Sequence, residues 1–395
     1  MIASRVTYRR LVDACWIGWA IFIAIKALVS PNKHSCYPGY ARASTGWMTD
    51  SELPSMSCFQ YLPYFGDLMA PFAALPDPVG AGLWAFLGFG VYAANLRAFV
   101  REFVSDEHAR TTILLIGLIP GAGSIVNHQA NILVVGCWLA AAVAVRRERW
   151  WLAAGCLAVP CFKMYPVAMA GVFAVLYPRP LIGRLIVALT GLLLLPFAFH
   201  ATDAVTYRME TMWRYIADGR HYAIFPYQTA YEAWQRHVGP VEAKMLLPGQ
   251  AIVGLAIPLV LVLQRRRGRP DGELIVAAIV LTSLWCVTLG PSIEAHTYLI
   301  AAPALGWRLA GQLTSPRRSW FAVGLTAFAI AMAGSLLFAI SPAVRDPLCD
   351  WRIPFFAVGA IFATELVAAI RWQPATEIES ATTLPFGRTP RRRAA

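Results

Sequence analysis

The sequence predicts an all-α polytopic membrane protein with about 10–12 transmembrane segments and long loops on one face. Three observations lead there. Hydrophobic residues make up 58% of the chain and charged residues only 14%, with a mean hydropathy of +0.54, unlike soluble domains with about 25% charge. Several apolar runs approach the roughly 20 helical residues needed to cross a hydrocarbon core. The arginines fall in short clusters between those runs, as the positive-inside rule expects. That placement accounts for the formal charge of +12 without nucleic acid, and no DNA- or RNA-binding motif accompanies the clusters.

Taken in order, the first apolar run, Leu11 to Ser30, follows Arg5, Arg9 and Arg10. No small-residue cleavage site follows it, so it reads as a retained span rather than a signal peptide. With the N-terminus in the cytoplasm, the chain then enters an outer loop from Pro31 to Pro78 carrying His34, Asp50, Glu52 and Asp67. The second half of this loop, 61–72, is aromatic and broken by proline, which suits the membrane interface better than a crossing. Further spans are expected at about 79–97, 111–126 and 130–145, the last ending at the basic knot Arg146-Arg147-Glu148-Arg149.

The segment from Trp150 to Tyr177 is too short for a pair of full spans and carries Lys163 and Pro166 near its middle. It reads as a broken hairpin whose tip stops below the outer surface, where irregular backbone must be covered by protein or line a watery cavity. A span at about 183–199 ends at His200, and a long loop from Ala201 to Pro248 follows, rich in Tyr, Trp, Arg and His. The next span leads to Arg265, Arg266, Arg267 and Arg269. A span at about 272–290 exits at the turn holding Glu294 and His296, and another returns to Arg308, Arg317 and Arg318. Another pair of spans ends at about 371, so residues 1–371 are expected to form one integral membrane domain. Residues 372–395 are expected to be a disordered cytoplasmic tail.

Assigning charge by loop puts about 23 Lys/Arg inside and about 10 outside, with Lys26 inside the first span, the bias expected for this orientation. All the histidines except His108 fall on or near the outer face, so chemistry is expected there. Most cysteines lie in apolar runs, where cysteine behaves as a small hydrophobe. Cys36 and Cys58 share the first outer loop, and whether they pair is open, since spacing does not set connectivity. No CxxC pair, HExxH motif or nucleotide-binding loop occurs, so neither a metal nor another cofactor is expected.

The candidate site is organised around Ser124 to Pro166. If both apolar segments cross the bilayer, the amide-rich patch Asn127, His128, Gln129 and Asn131 emerges on the same side as Lys163 and Tyr165. A lone lysine at that depth is costly without partners. Its bland reading is a snorkelling residue; its functional reading is a point-charge ammonium for a phosphate oxygen. Glu294 and His296, in a Gly-Pro turn, are a carboxylate and an imidazole close enough for proton transfer, or simply a solvated turn. Asp50 and Glu52 are candidate bases for an acceptor hydroxyl, or solvated loop acids. Asp67 is a further candidate.

These residues resemble glycosyltransferase family 87. Gln129-x-Asn131 opens one span, a basic knot follows, and Lys163-x-Tyr165-Pro166 closes the next, in the family's pattern. The first outer loop, with Tyr37, Gly46, residues 59–63 and Pro71 to Pro76, and the turn Gly290-Pro291-x-x-Glu294-x-His296 are similar as well. The resemblance implies a GT-C-like helical bundle and inverting sugar transfer, mannose above all, from a polyprenyl-phosphate donor to a lipid or glycan acceptor at the outer face of the plasma (inner) membrane. It also implies donor contacts by Lys163, Tyr165, His296, His128, Gln129 and Asn131, with Arg214 or Arg220 assisting the phosphate. Catalysis falls to Glu294, Asp50 or Glu52, or to His34 in their place, because this chain departs from the family just before Tyr37. There the family's aspartate is replaced by Lys33-His34-Ser35-Cys36. A lipid-linked sugar carrier and an inactive relative in envelope assembly are the competing readings.

Overall fold

The computed structural model describes residues 2–49, 61–217, 229–290, 295–316, 318–333 and 341–374. Among these, every regular element is helical. The chain opens with α1 (Ile2–Val29), α2 (Tyr37–Met48), α3 (Tyr64–Ala73), α4 (Asp77–Phe103), α5 (Glu107–Leu118), α6 (Gly121–Val126) and α7 (Asn131–Arg146). It continues through α8 (Trp150–Ala158), α9 (Val167–Leu176), α10 (Pro178–Leu194), α11 (Thr202–Ala217), α12 (Ala230–His237) and α13 (Ala243–Arg266). The last elements are α14 (Asp271–Leu289), α15 (Ala302–Thr314), α16 (Trp320–Met332), α17 (Pro342–Asp350) and α18 (Ile353–Ile370). Within the described residues, 6 helices are long and apolar enough to cross a membrane: α1, α4, α10, α13, α14 and α18. Shorter apolar helices lie at 131–146, 150–162, 167–176 and 320–332. The protein is an all-α polytopic membrane protein.

The helix boundaries follow local chemistry. Asp106 caps α5 by accepting the Ala109 N–H at 2.7 Å, which satisfies one of the donors orphaned at a helix start. Thr229 and Glu232 form a capping box that starts α12. The span expected over 111–126 is not continuous. It breaks between α5 and α6 at Ile119 and Pro120, because proline has no N–H to give and its ring crowds the preceding turn. The hairpin expected over 150–177 is present: α8 and α9 are short, and a 3-10 turn over Val159–Phe162 and the stretch 163–166 separate them.

Three expectations are corrected. The loop over 31–78 contains α2 and α3, and the loop over 201–248 contains α11, α12 and the start of α13. Both stretches look loop-like in sequence because their apolar runs are too short to span. In the first stretch the aromatic residues nevertheless find protein to pack on, and Tyr37, Tyr40, Trp47, Tyr64 and Phe65 are all buried, whereas Tyr207, Trp213 and Trp234 of the second are exposed. The span after Gly290 begins as a 3-10 helix, Ala295–Ala301, before continuing as α15.

One continuous apolar core runs from Val12 in α1 to Ala369 in α18. Helix α7 lies at its centre, with almost every side chain buried, and packs closely on α4. A Cβ at Gly136 would come within 2.9 Å of the Tyr92 backbone nitrogen, so only glycine permits this approach. Gly80 is tighter still: a Cβ there would lie 2.0 Å from the Tyr37 hydroxyl and 2.3 Å from the Phe72 carbonyl. Those are the two ends of a 2.8 Å hydrogen bond that ties α2 to α3. Gly80→Ala is therefore expected to cost about 1–3 kcal/mol by overpacking. Thermal unfolding in detergent checks this, and an unchanged midpoint would show that α2 and α3 can shift freely.

The ends of the bundle differ in chemistry. At one end, arginines pair with acids: Arg97 with Asp13 at 3.5 Å, Arg147 with Glu102 at 2.9 Å and Arg265 with Asp271 at 2.9 Å. The other end gathers α2, α3, the turn between α6 and α7, and the tip of the α8–α9 hairpin. The candidate residues are there.

Candidate active site

The turn between α6 and α7 and the hairpin tip meet directly. Lys163 Nζ donates to Asn131 Oδ1 at 2.7 Å, and the Tyr165 hydroxyl donates to the same oxygen at 2.8 Å. Asn131 Nδ2 donates in turn to Gln129 Oε1 at 2.8 Å and to Thr297 Oγ1 at 3.4 Å. Asn131 is fully buried, and Gln129 and Thr297 nearly so. Satisfied polar networks in low-dielectric surroundings are rigid, and a missing member leaves the others costly. Lys163 therefore has a set position rather than a snorkelling one.

Aromatic side chains from the first expected loop complete the setting. The Lys163 ammonium lies 5.2 Å from the Tyr61 ring centroid and 5.9 Å from that of Tyr165, within reach of a cation–π attraction. The Tyr61 hydroxyl is 3.0 Å from that of Tyr40, and the Ala130 N–H donates to Tyr40 at 3.5 Å. Beneath them, the Leu62 N–H donates to the Phe162 carbonyl at 3.0 Å, and the Phe65 and Phe162 rings lie 4.5 Å apart. Burial of α2 and α3 thus presses Tyr61 against the hairpin tip.

His296 reaches this cluster through its backbone, whose carbonyl accepts a hydrogen bond from Ser124 Oγ. His128 sits in the turn with a left-handed backbone, φ 53°. Its carbonyl accepts the Trp84 indole N–H at 2.9 Å, and its Nδ1 lies 2.9 Å from Ser35 Oγ. Burial first, and the Lys26 ammonium second, lower the His128 imidazole to about 4, so it is neutral near pH 7. The stretch where the family pattern carries an aspartate docks on this same turn: the Cys36 N–H donates to the Asn127 carbonyl at 2.8 Å.

Not every expected residue arrives here. Arg214 lies on the exposed side of α11 in an ion pair with Glu210 at 3.2 Å, where helix geometry turns it towards its own neighbour. Asp50, Glu52, Glu294, Cys58 and Arg220 lie outside the described residues. Asp67 is placed, but in a cluster of its own: its Oδ1 accepts from the Trp47 indole at 2.9 Å and lies 2.8 Å from His200 Nε2. Both side chains of that Asp67–His200 pair are almost wholly buried, at 6% and 3% exposure, which makes the aspartate a tie between α2, α3 and the stretch that follows α10. Sequence reasoning missed Tyr40, Tyr61 and Thr297 as parts of the site. No spacing signal marks them, since each is brought in by packing between distant segments.

The sequence model of glycosyltransferase family 87 matches residues 59–290, more than half of the 395-residue chain. The match includes the amide-rich turn, the hairpin with Lys163 and Tyr165, and the Asp67–His200 pair. It leaves outside it the stretch around Tyr37 and the turn holding Glu294 and His296. Among curated proteins none matches this chain. The family match, carried by a helical membrane fold that joins the Gln129-x-Asn131 and Lys163-x-Tyr165 motifs through one buried amide, shows that this membrane protein is a glycosyltransferase belonging to family 87.

Proposed function

We propose that the protein transfers a sugar, mannose, from a polyprenyl-phosphate donor to a lipid or glycan acceptor, with inversion, at the outer face of the plasma (inner) membrane. Residues 1–371 act as one catalytic unit with both termini in the cytoplasm. The observation that carries this reading is the convergence of Lys163 Nζ and the Tyr165 hydroxyl on one buried amide oxygen. The ammonium is thereby fixed where a phosphate leaving group can meet it, and preorganised charge of this kind often contributes more to catalysis than any other effect. The donor's lipid tail lies between helices, and its phosphate meets Lys163, with Tyr165, His128, Gln129, Asn131 and His296 shaping the pocket around it.

In the transfer, the acceptor hydroxyl attacks the anomeric carbon as the bond to the phosphate oxygen breaks, and polyprenyl phosphate leaves. A carboxylate takes the proton from the acceptor, and Asp50, Glu52 and Glu294 are the candidates. Asp67 is a further candidate: its Oδ1 is held by Trp47 and His200, while its buried Oδ2 has no hydrogen-bond partner among the described residues.

The test is direct. Purified protein given radiolabelled polyprenyl-phosphate-mannose and candidate acceptors is expected to release polyprenyl phosphate and label the acceptor. Among Asp50→Asn, Glu52→Gln and Glu294→Gln, one is expected to lower the rate by about 10²–10⁴-fold, the usual worth of a general base. Binding of the donor with no transfer to any acceptor would replace this reading with a lipid-linked sugar carrier. Full rate in all of these variants would remove the base assignment.

A further inference from the structure

At the arginine-rich end of the bundle, remote from the Lys163 cluster, the start of α1, the end of α4 and the start of α5 line a cavity of about 100 Å³. That is several times the space one buried water needs. Arg9 and Asp13 reach it from α1, Arg97 and Arg101 from α4, and Glu107 and Arg110 from α5. Four guanidinium groups thus face two carboxylates, and the lining keeps an excess of positive charge.

Both acids are already shared. Asp13 lies 3.9 Å from Arg9 and 3.5 Å from Arg97, and Glu107 lies 3.4 Å from Arg9 and 3.2 Å from Arg110. Each guanidinium carries several N–H donors in a rigid fork, so these contacts leave donors over. The Arg101 side chain has no ion pair or hydrogen bond among the described residues. Arg97 and Arg110 are held in place at the cavity wall. The Arg97 guanidinium lies 4.8 Å from the Trp16 ring centroid, and Arg110 Nε donates to the Val104 carbonyl at 2.5 Å. Their side chains are only 28% and 29% exposed. The ordinary reading of arginines at this end is topological, a positive-inside cluster solvated by water. Arg149, exposed at the same end, fits that reading; half-buried arginines around a cavity between helices do not.

The surface beside the cavity favours one kind of anion. From Asp13 the same face of α1 continues at helix spacing through Ile17, Ile21 and Ile25, each more than half exposed. On α4, Arg101 heads a second exposed row that runs through Ala94, Gly90, Leu87 and Leu83. Both helices are long and apolar enough to cross a membrane, so these rows meet acyl chains, which are as apolar as leucine. An amphiphile whose chains lie along them brings its head to the cavity. Guanidinium forks match phosphate oxygens, and basic cavities between membrane helices suit the heads of anionic lipids.

We propose that this cavity binds the phosphate group of an anionic phospholipid. Arg97 and Arg110 hold the phosphate from the wall, Arg9 and Arg101 meet it from the rim, and Asp13 and Glu107 keep the arginines in position. The site lies at the other end of the bundle from the donor cluster and does not rest on sugar transfer.

The experiment is thermal unfolding of the full chain in a maltoside detergent, titrated separately with phosphatidylglycerol, cardiolipin, phosphatidylcholine and inorganic phosphate. A ligand that binds only the folded state raises the midpoint with concentration. Wild type is expected to show that rise with phosphatidylglycerol or cardiolipin and not with phosphatidylcholine, whose choline cancels the phosphate charge. Arg97→Gln and Arg101→Gln are each expected to shift the rise to roughly 10-fold higher concentration, the lower end of the worth of a charged hydrogen bond. Arg149→Gln removes the same charge at the same end but outside the cavity lining, and is expected to leave the rise as in wild type. Asp13→Asn is expected to move it the other way, to about 5-fold lower concentration, by removing a like charge a few ångströms from the phosphate. That variant keeps every arginine, so the test stays open should Arg97→Gln fail to fold. An equal rise with phosphatidylcholine would mean that acyl chains alone bind, and a rise with inorganic phosphate but neither anionic lipid would mean a free-anion site; either overturns the lipid assignment. The proposal is also overturned by no rise in wild type, or by a rise unchanged in both Arg97→Gln and Arg101→Gln. A rise weakened as much by Arg149→Gln as by Arg101→Gln overturns it too, because diffuse surface charge would then suffice.

Discussion

Lys163→Met is expected to lower glycosyl transfer by about 10²–10³-fold, the cost of removing one preorganised group that stabilises developing charge. Methionine keeps most of the unbranched stem and loses only the ammonium, so packing at the hairpin tip should survive. The loss is expected in kcat, because charge builds on the departing phosphate most strongly in the transition state. Lys163→Arg is expected to rescue poorly. A planar guanidinium cannot take the single position set by the Asn131 Oδ1 contact at 2.7 Å and the Tyr61 ring, where a compact ammonium fits. The check is a steady-state comparison of wild type, Lys163→Met and Lys163→Arg with labelled donor, alongside their melting curves. Unchanged turnover in Lys163→Met would return this lysine to the status of a membrane-anchoring residue.

Asp67→Ala is expected to be the most destabilising of the single changes considered, by about 3 kcal/mol. It leaves the Trp47 indole and the His200 imidazole without their shared acceptor, and each buried orphan costs roughly 1–3 kcal/mol. The rings of Trp47 and His200 lie 4.2 Å apart, so α2, α3 and the stretch that follows α10 all lean on this one carboxylate. Asp67→Ala combined with His200→Phe should recover part of the loss, since the double change removes one orphan and keeps an aromatic ring against Trp47. Residues in direct contact couple by about 0.5–3 kcal/mol in such cycles. Thermal unfolding of both single variants and the double variant supplies the cycle. Strict additivity would show that Asp67 and His200 act independently. Loss of turnover at full stability in Asp67→Asn would instead make Asp67 part of the chemistry.

Much of the site was legible from the chain because membrane topology is a strong constraint. Once the spans at 130–145 and the short hairpin over 150–177 are read, Asn131 and Lys163 must reach the same face. The structure places them 2.7 Å apart. The hairpin itself was legible for a similar reason: residues 150–177 are too few for a pair of crossings, and Pro166 and Lys163 mark the break. The helices of the first loop were not legible, because hydropathy reports long apolar runs and is silent on short helices that bury aromatic faces against protein. Tyr64 and Phe65, in the stretch 61–72, look interfacial in sequence, yet in the fold each is at most 1% exposed.

By itself the sequence determined the class of this protein and that the Asn127–Asn131 turn and the Lys163 hairpin tip reach the same end of the bundle. Apolar length and arginine placement are properties of single segments, and the bilayer acts on each segment separately. Only the tertiary structure decided which polar groups meet. The Lys163–Asn131–Tyr165 junction and the Asp67–His200–Trp47 tie each join residues distant in the chain. Such pairings depend on how α1, α3 and the α8–α9 hairpin pack around α7, and on small residues such as Gly80 and Gly136 that let them come close. No spacing rule along one stretch of chain encodes them, because the energy that selects them is shared among contacts from every segment that takes part.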